Sequence, residues 1–205
     1  VNQKGCTATT PTIKNVTITT APVPWIDGPV QSCQQTTGVV YTTDPGMQNY
    51  LWTISAGGTI TSGSGTATVT VTWSVPGNQW VSVNFTDPAG CQAATATVKN
   101  VLVAAAPVPV ITGLSQLCNG TTAVYYCEAG MSAYSWTITP GGIITSGAGT
   151  NAITVDWISA GTQSITVLYT DLNGCTALTP SQKTVTVHPL PVPTITNDPV
   201  ACVNG

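Results

Sequence analysis

Across 205 residues the chain carries only four basic side chains, all lysine, and seven acidic ones; net charge is −3 and charged residues are 5% of the total, about a fifth of the share in an ordinary soluble domain. No positive field exists to attract nucleic acid or anionic lipid, so neither is expected as a partner. Hydrophobic residues at 42% suffice for packed cores, leaving a neutral surface of Thr, Ser, Gln, Asn and Gly suited to lateral self-association into filaments or to surface glycans.

From the N-terminus, Val1 to Thr20, with Lys4-Gly5-Cys6 and Lys14, aligns with Ala89 to Val103 and Asn173 to Val187. Residues 1–20 therefore read as the end of a preceding module. After Ala21-Pro22-Val23-Pro24, apolar and polar residues alternate in short runs, the signature of half-buried strands. Tyr50, Trp52 and Ile54 share one face, as do Val69, Val71 and Trp73, then Val81, Val83 and Phe85. Turn residues separate the runs at Gly57-Gly58, Ser62-Gly63-Ser64-Gly65, Pro76-Gly77 and Asp87-Pro88-Ala89-Gly90.

At Ala106-Pro107-Val108-Pro109 the pattern restarts, with Tyr134, Trp136 and Ile138, then Ile153, Val155 and Trp157, then Ile165, Val167 and Tyr169. A third start follows at Leu190-Pro191-Val192-Pro193 and leads to Cys202. Pro22 and Pro107 are 85 residues apart, as are Cys33 and Cys118; Trp52 and Trp136, Trp73 and Trp157, and Cys91 and Cys175 are each 84 apart. A fixed period of this length marks tandem repeats. The expected organisation is 1–20, the end of one module; 21–105 and 106–189, two complete β-sandwich modules; and 190–205, the start of another. The sequence is expected to be an excerpt of a longer repeat protein.

About seven short strands per module, no helical periodicity and a buried Trp on the third strand describe an all-β, immunoglobulin-like two-sheet sandwich. Trp52, Trp73, Trp136 and Trp157 recur and are assigned to the cores rather than to sugar stacking. Trp25 becomes Val110, and Trp80 has no aromatic counterpart around Gly161 to Ser164; these two are candidate surface contacts, with packing against a linker as the competing role. Lys14, Lys99 and Lys183 take the same place in the last strand of successive copies, where a lysine on an edge discourages sheet-to-sheet pairing.

Catalytic chemistry finds no constellation. His188 is the single histidine, and Asp27, Asp44, Asp87, Glu128, Asp156, Asp171 and Asp198 are dispersed, whereas nucleophile–base and two-carboxylate mechanisms need convergent groups. The expectation is a protein that is not an enzyme. Zinc is disfavoured by the lack of a C-x2-C pair; calcium at module junctions is the one cofactor kept open. Asp87 and Asp171 precede a Gly-Cys turn and are read as bonding their own backbone. Asn15, Asn84 and Asn119 fit the N-glycosylation pattern, though so short a pattern recurs by chance in a chain rich in Asn and Thr. The longest apolar run, Val101 to Ile111, holds two prolines and is too short to span a bilayer.

Seven cysteines, six of them in repeated positions, indicate an oxidising, extracellular setting. Two pairings compete. The intra-module one joins Cys33 to Cys91 and Cys118 to Cys175. The other follows from sandwich topology, which puts those loops at opposite ends of a module; it pairs Cys33 with Cys175, and Cys6, Cys91, Cys118 and Cys202 with equivalents in neighbouring modules. Cys127, whose counterpart is read as Thr42, is expected either as a buried free thiol or in a local pair with Cys118.

Tyr50-x-Trp52-x-Ile54, Gly57-Gly58-Thr59-Ile60-Thr61-Ser62-Gly63-x-Gly65-Thr66, Val69-x-Val71-x-Trp73 and Asp87-x-x-Gly90-Cys91, with their second-copy equivalents from Tyr134 to Cys175, resemble PKD-like (polycystic-kidney-disease type) modules found in tandem in giant surface proteins of Bacteroidetes. The resemblance extends to gliding-motility and other cell-surface adhesins exported by the type IX system, where such repeats serve as stalk. It implies a stalk or filament segment of a large secreted cell-surface protein, with neighbouring modules of the same chain as partners and Pro-Val-Pro joints that stiffen the links. The competing expectation is a carbohydrate-binding module array of a secreted hydrolase, with Trp25 and Trp80 as platforms.

Overall fold

Among the described residues, period-two alternation becomes fourteen strands and no helix. The computed structural model describes residues 3–5, 7, 10 and 12–194; Cys6, Cys202 and most of the expected module start at 190–205 lie outside the described residues. The chain divides into two compact units, Val1–Val103 and Ala104–Gly205.

In the first unit, β1 (Gln31–Cys33), β2 (Thr36–Thr42), β3 (Gln48–Ile54), β4 (Gly58–Ser62), β5 (Thr68–Trp73), β6 (Gly77–Thr86) and β7 (Thr97–Ala104) form two sheets, ordered β2-β5-β4 and β1-β7-β6-β3. Inward residues of both sheets meet in one core: Tyr41, Val69, Val71 and Trp73 from the first, Trp52, Val81, Val83, Val101 and Val103 from the second. Trp73 is fully buried and meets Tyr41 edge-on, ring centroids 6.4 Å apart, while its Nε1 donates to the Tyr41 hydroxyl at 3.2 Å. The pair thus fills volume and satisfies its own polar atoms away from water.

The second unit repeats the plan with β8 (Gln116–Cys118), β9 (Thr122–Tyr126), β10 (Ser132–Ile138), β11 (Gly142–Ser146), β12 (Ala152–Trp157), β13 (Gly161–Thr170) and β14 (Ser181–His188), in sheets β11-β12-β9 and β10-β13-β14-β8. Its core holds the equivalent pair, Tyr125 and Trp157, at 6.2 Å with the same 3.2 Å hydrogen bond. β8 runs parallel to the end of β14, Cys118 opposite His188.

Two turn devices explain much of the repeated sequence. Gly58 and Gly142 lie against the rings of Trp73 and Trp157, where a Cβ would collide. Gly63 and Gly147 adopt φ near +80°, and a Cβ there would run into the carbonyl oxygen of Thr68 or Ala152.

Two expectations need correction. The last strands are not edges along their whole length: β7 lies between β6 and β1, and β14 between β13 and β8. β8 covers β14 only from Thr186 to His188, so Lys183 sits on the uncovered stretch before it, while Lys99 reaches the Ile26 carbonyl at 3.5 Å. The counterpart of Cys127 is Thr43, not Thr42, because the two occupy the same buried position: Thr43 N donates to Ala67 O and Cys127 N to Asn151 O. The cause is a β-bulge in β2 between Thr36 and Val39, with Gly38 at φ +74°. It adds one residue to the first copy.

Candidate functional site

The repeated cysteines sit at defined ends of each unit. In the turn between β13 and β14, Asp171 Oδ1 accepts from the backbone N–H of Cys175 at 2.8 Å and Asp171 N donates to Cys175 O at 2.9 Å. Asp87 holds Cys91 the same way in the turn between β6 and β7, at 2.8 and 2.9 Å. The short polar side chain closes the turn on its own backbone. Cys118 lies beside His188, at the far end of β14. Eight residues of strand span about 25 Å, and a disulfide needs Cα atoms within about 7 Å.

Cys33 and Cys175 are both disulfide-bonded, and Cys91, Cys118 and Cys127 are free thiols. The intra-module pairs Cys33–Cys91 and Cys118–Cys175 therefore do not form, nor does a local Cys118–Cys127 bond. Cys127 is buried, and burial, reinforced by the neighbouring Glu128 charge, pushes its thiol up to about 11. It is protonated and unreactive at neutral pH. Glu128 has a second effect: with burial as the larger cause, it pushes Tyr169 up to about 12.

The non-recurring indoles lie far apart in the first unit. Trp25, 45% exposed, donates from Nε1 to Asp44 Oδ1 at 2.6 Å beside the β2–β3 turn. In the second unit Glu128 instead accepts from the backbone N–H of Val110, at 3.1 and 3.2 Å. Trp80 projects from the outer face of β6, 38% exposed. Gln48, where β3 begins, pairs with Thr86, six residues along β6 from Trp80, about 20 Å. The two rings do not form one platform. Trp52, Trp73, Trp136 and Trp157 are all buried.

Asn15 is exposed. Asn84 is half-buried in β6, its amide donating to Ala93 O at 3.3 Å and accepting from Phe85 N at 2.7 Å. Asn119 is half-buried beside Cys118, its backbone N–H donating to His188 O. Among the described residues no three His, Cys, Asp or Glu side chains converge as metal ligands.

Residues 19–101 and 104–187 each match the family model described as a PKD-like domain. The chain belongs to the PKD-like domain family. Among solved structures its PKD-like pair is similar to the D00-D0 domain of intimin, at 12% identity over 80% of this chain and 99% of that one, TM-score 0.39. It is similar at 14% identity to the fibronectin(III)-like modules of Clostridium thermocellum CbhA, over 85% and 100% of the two chains, TM-score 0.35. For domains 4 and 5 of the S-layer protein SbsC the identity is 13% over 82% and 98%, TM-score 0.35. Comparison with curated proteins finds no match.

Proposed function

We propose that this PKD-like pair is a segment of the stalk or filament of a secreted, cell-surface repeat protein, an adhesin or extracellular fibre of the kind its sequence resembles. The observation that carries the reading is the arrangement of cysteines. Within each unit the two repeated cysteines stand at opposite ends of the last strand, so neither can bond to the other. Two of them, Cys33 and Cys175, are nevertheless disulfide-bonded. We take them as bonded to each other, a link from one module to the next that lets tension pass covalently as well as through the antiparallel ladders. An oxidising extracellular setting follows from such a bond, and the neutral, polar surface suits packing among like chains. No catalytic role is assigned.

Peptide mapping of native, non-reduced protein tests the reading. A crosslinked peptide containing Cys33 and Cys175 is the expected product. Recovery of Cys33 with Cys91 and of Cys175 with Cys118, bonds closed within single modules, would overturn the inter-module link and with it the load-bearing stalk.

A further inference from the structure

The outer face of β6 and β7 differs between two units whose backbones share one register. Trp80 pairs with Asn100, Ser82 with Val98 and Asn78 with Leu102; the equivalent pairs on β13 and β14 are Ser164 with Thr184, Thr166 with Gln182 and Thr162 with Thr186. Trp80, Val98 and Leu102 thus form an apolar triad on the first unit, 38%, 58% and 48% exposed. Ser164, Gln182 and Thr186 replace them on the second. The second unit shows that the sandwich does not require this triad, since the same strands form with three polar residues in its place.

The backbone under the indole is pinned. Ser55 N donates to Trp80 O at 3.0 Å and Trp80 N donates to Ser55 Oγ at 3.2 Å, so the ring is presented from a rigid strand rather than from a loop. Around it the face exposes the amides of Asn78 and Asn100, Thr53, whose hydroxyl is bonded to the buried Ser82 at 2.7 Å, and farther along β3 Leu51, and it carries no charge. Lys99, the charged residue of β7, points to the other side, toward Ile26 O.

We propose that this face binds a neutral polysaccharide, with a sugar ring stacked on Trp80, flanked by Val98 and Leu102, and with hydroxyls bonded to the surrounding amides. Size favours a glycan over a second copy of the chain. The exposed parts of the triad offer on the order of 300 Å², against about 800 Å² per partner in a stable protein interface. Charge favours a neutral glycan over an acidic one, because the face has no cation to hold a carboxylate or sulfate. The site is independent of the stalk reading and leaves it standing if the site fails.

The test is affinity electrophoresis and tryptophan fluorescence on the full chain with soluble β-glucan, xylan and galactomannan, and with alginate as the anionic contrast. Trp80→Ser, which copies Ser164, is compared with Trp25→Ala. Expected are retardation by at least one neutral polysaccharide and none by alginate, about tenfold or greater weakening in Trp80→Ser, and unchanged binding in Trp25→Ala. An unchanged thermal midpoint for Trp80→Ser shows that binding rather than folding was lost. The proposal is overturned if no neutral polysaccharide retards the wild type or if Trp80→Ser binds as well. It is also overturned if Trp80 proves to drive a concentration-dependent dimer that ignores all four polymers, which would make the occupant a second copy.

Discussion

The indole Nε1 of Trp52 donates to the carbonyl oxygen of Thr66 at 2.9 Å, tying the third strand to the turn between β4 and β5. Trp136 and Thr150 repeat the bond at 2.8 Å. This single contact joins two sequence motifs fourteen residues apart, Tyr-x-Trp-x-Ile and Gly-x-Gly-Thr. Replacing Trp52 with Phe keeps most of the buried ring and deletes the donor. Expected is a loss of about 1–2 kcal/mol, read by denaturant unfolding, with Trp136→Phe giving a similar loss in the other unit. An unchanged midpoint would show that the bond contributes nothing.

The same turn makes a sharper prediction at Gly63. Its φ of +80° disfavours any side chain, and a Cβ would strike the Thr68 carbonyl, backbone that cannot swing aside. Gly46, with φ +77°, faces open space. Gly63→Ala should therefore cost ~3 kcal/mol or more and Gly46→Ala about 1 kcal/mol. Equal costs would mean that the collision is relieved by movement and that conformation alone decides both sites.

How much of this was legible in the sequence varies by feature. The sandwich was, because alternation at Val69, Val71 and Trp73 can bury only one face of a strand. The Asp87 and Asp171 turns were, because a short acceptor beside Gly has few other uses. The register of Cys127 was not, since the bulge at Gly38 shifts the copies by one residue within a run of threonines that offers no anchor. Gln79 and Gln163 also went unrecognised. Each locks two turns together, Gln79 accepting from Ser55 Oγ at 2.5 Å and donating to Val75 O at 3.2 Å, but glutamine carries no positional signature of that role. Among the candidate contacts, Trp80 stood out by lacking a counterpart, whereas Val98 and Leu102 joined it only once cross-strand pairing was known.

Cys127 should make the second unit sensitive to alkali. Its folded thiol titrates at about 11 against an ordinary 9.0, so between those values the folded chain holds a proton that the unfolded chain has lost. Stability from this group is complete below about pH 9 and falls as pH rises toward 11. The thermal midpoint should drop across that window, and less in Cys127→Thr, which copies the buried Thr43. At pH 8 in native protein, iodoacetamide should label exposed Cys118 and spare Cys127 until the unit is unfolded. Equal labelling of both thiols in the folded state would contradict the burial.

Ala133 offers a way to strengthen the fold. It sits at the bulge between Ser132 and Ser135 with φ +50°, while its equivalent Asn49 holds φ +54° at the matching bulge of β3. Asparagine tolerates the left-handed region and alanine does not, a difference of about 1 kcal/mol. Ala133→Gly or Ala133→Asn should raise the stability of the second unit by roughly that amount, and Asn49→Ala should lower that of the first by a similar one. Asn49→Ala also deletes the 3.5 Å bond from Asn49 Nδ2 to Thr86 Oγ1, so Ala133→Gly is the change that isolates backbone strain: if it destabilises, the methyl group packs more than the strain costs, and the bulge geometry is held by its neighbours rather than by the residue at its centre.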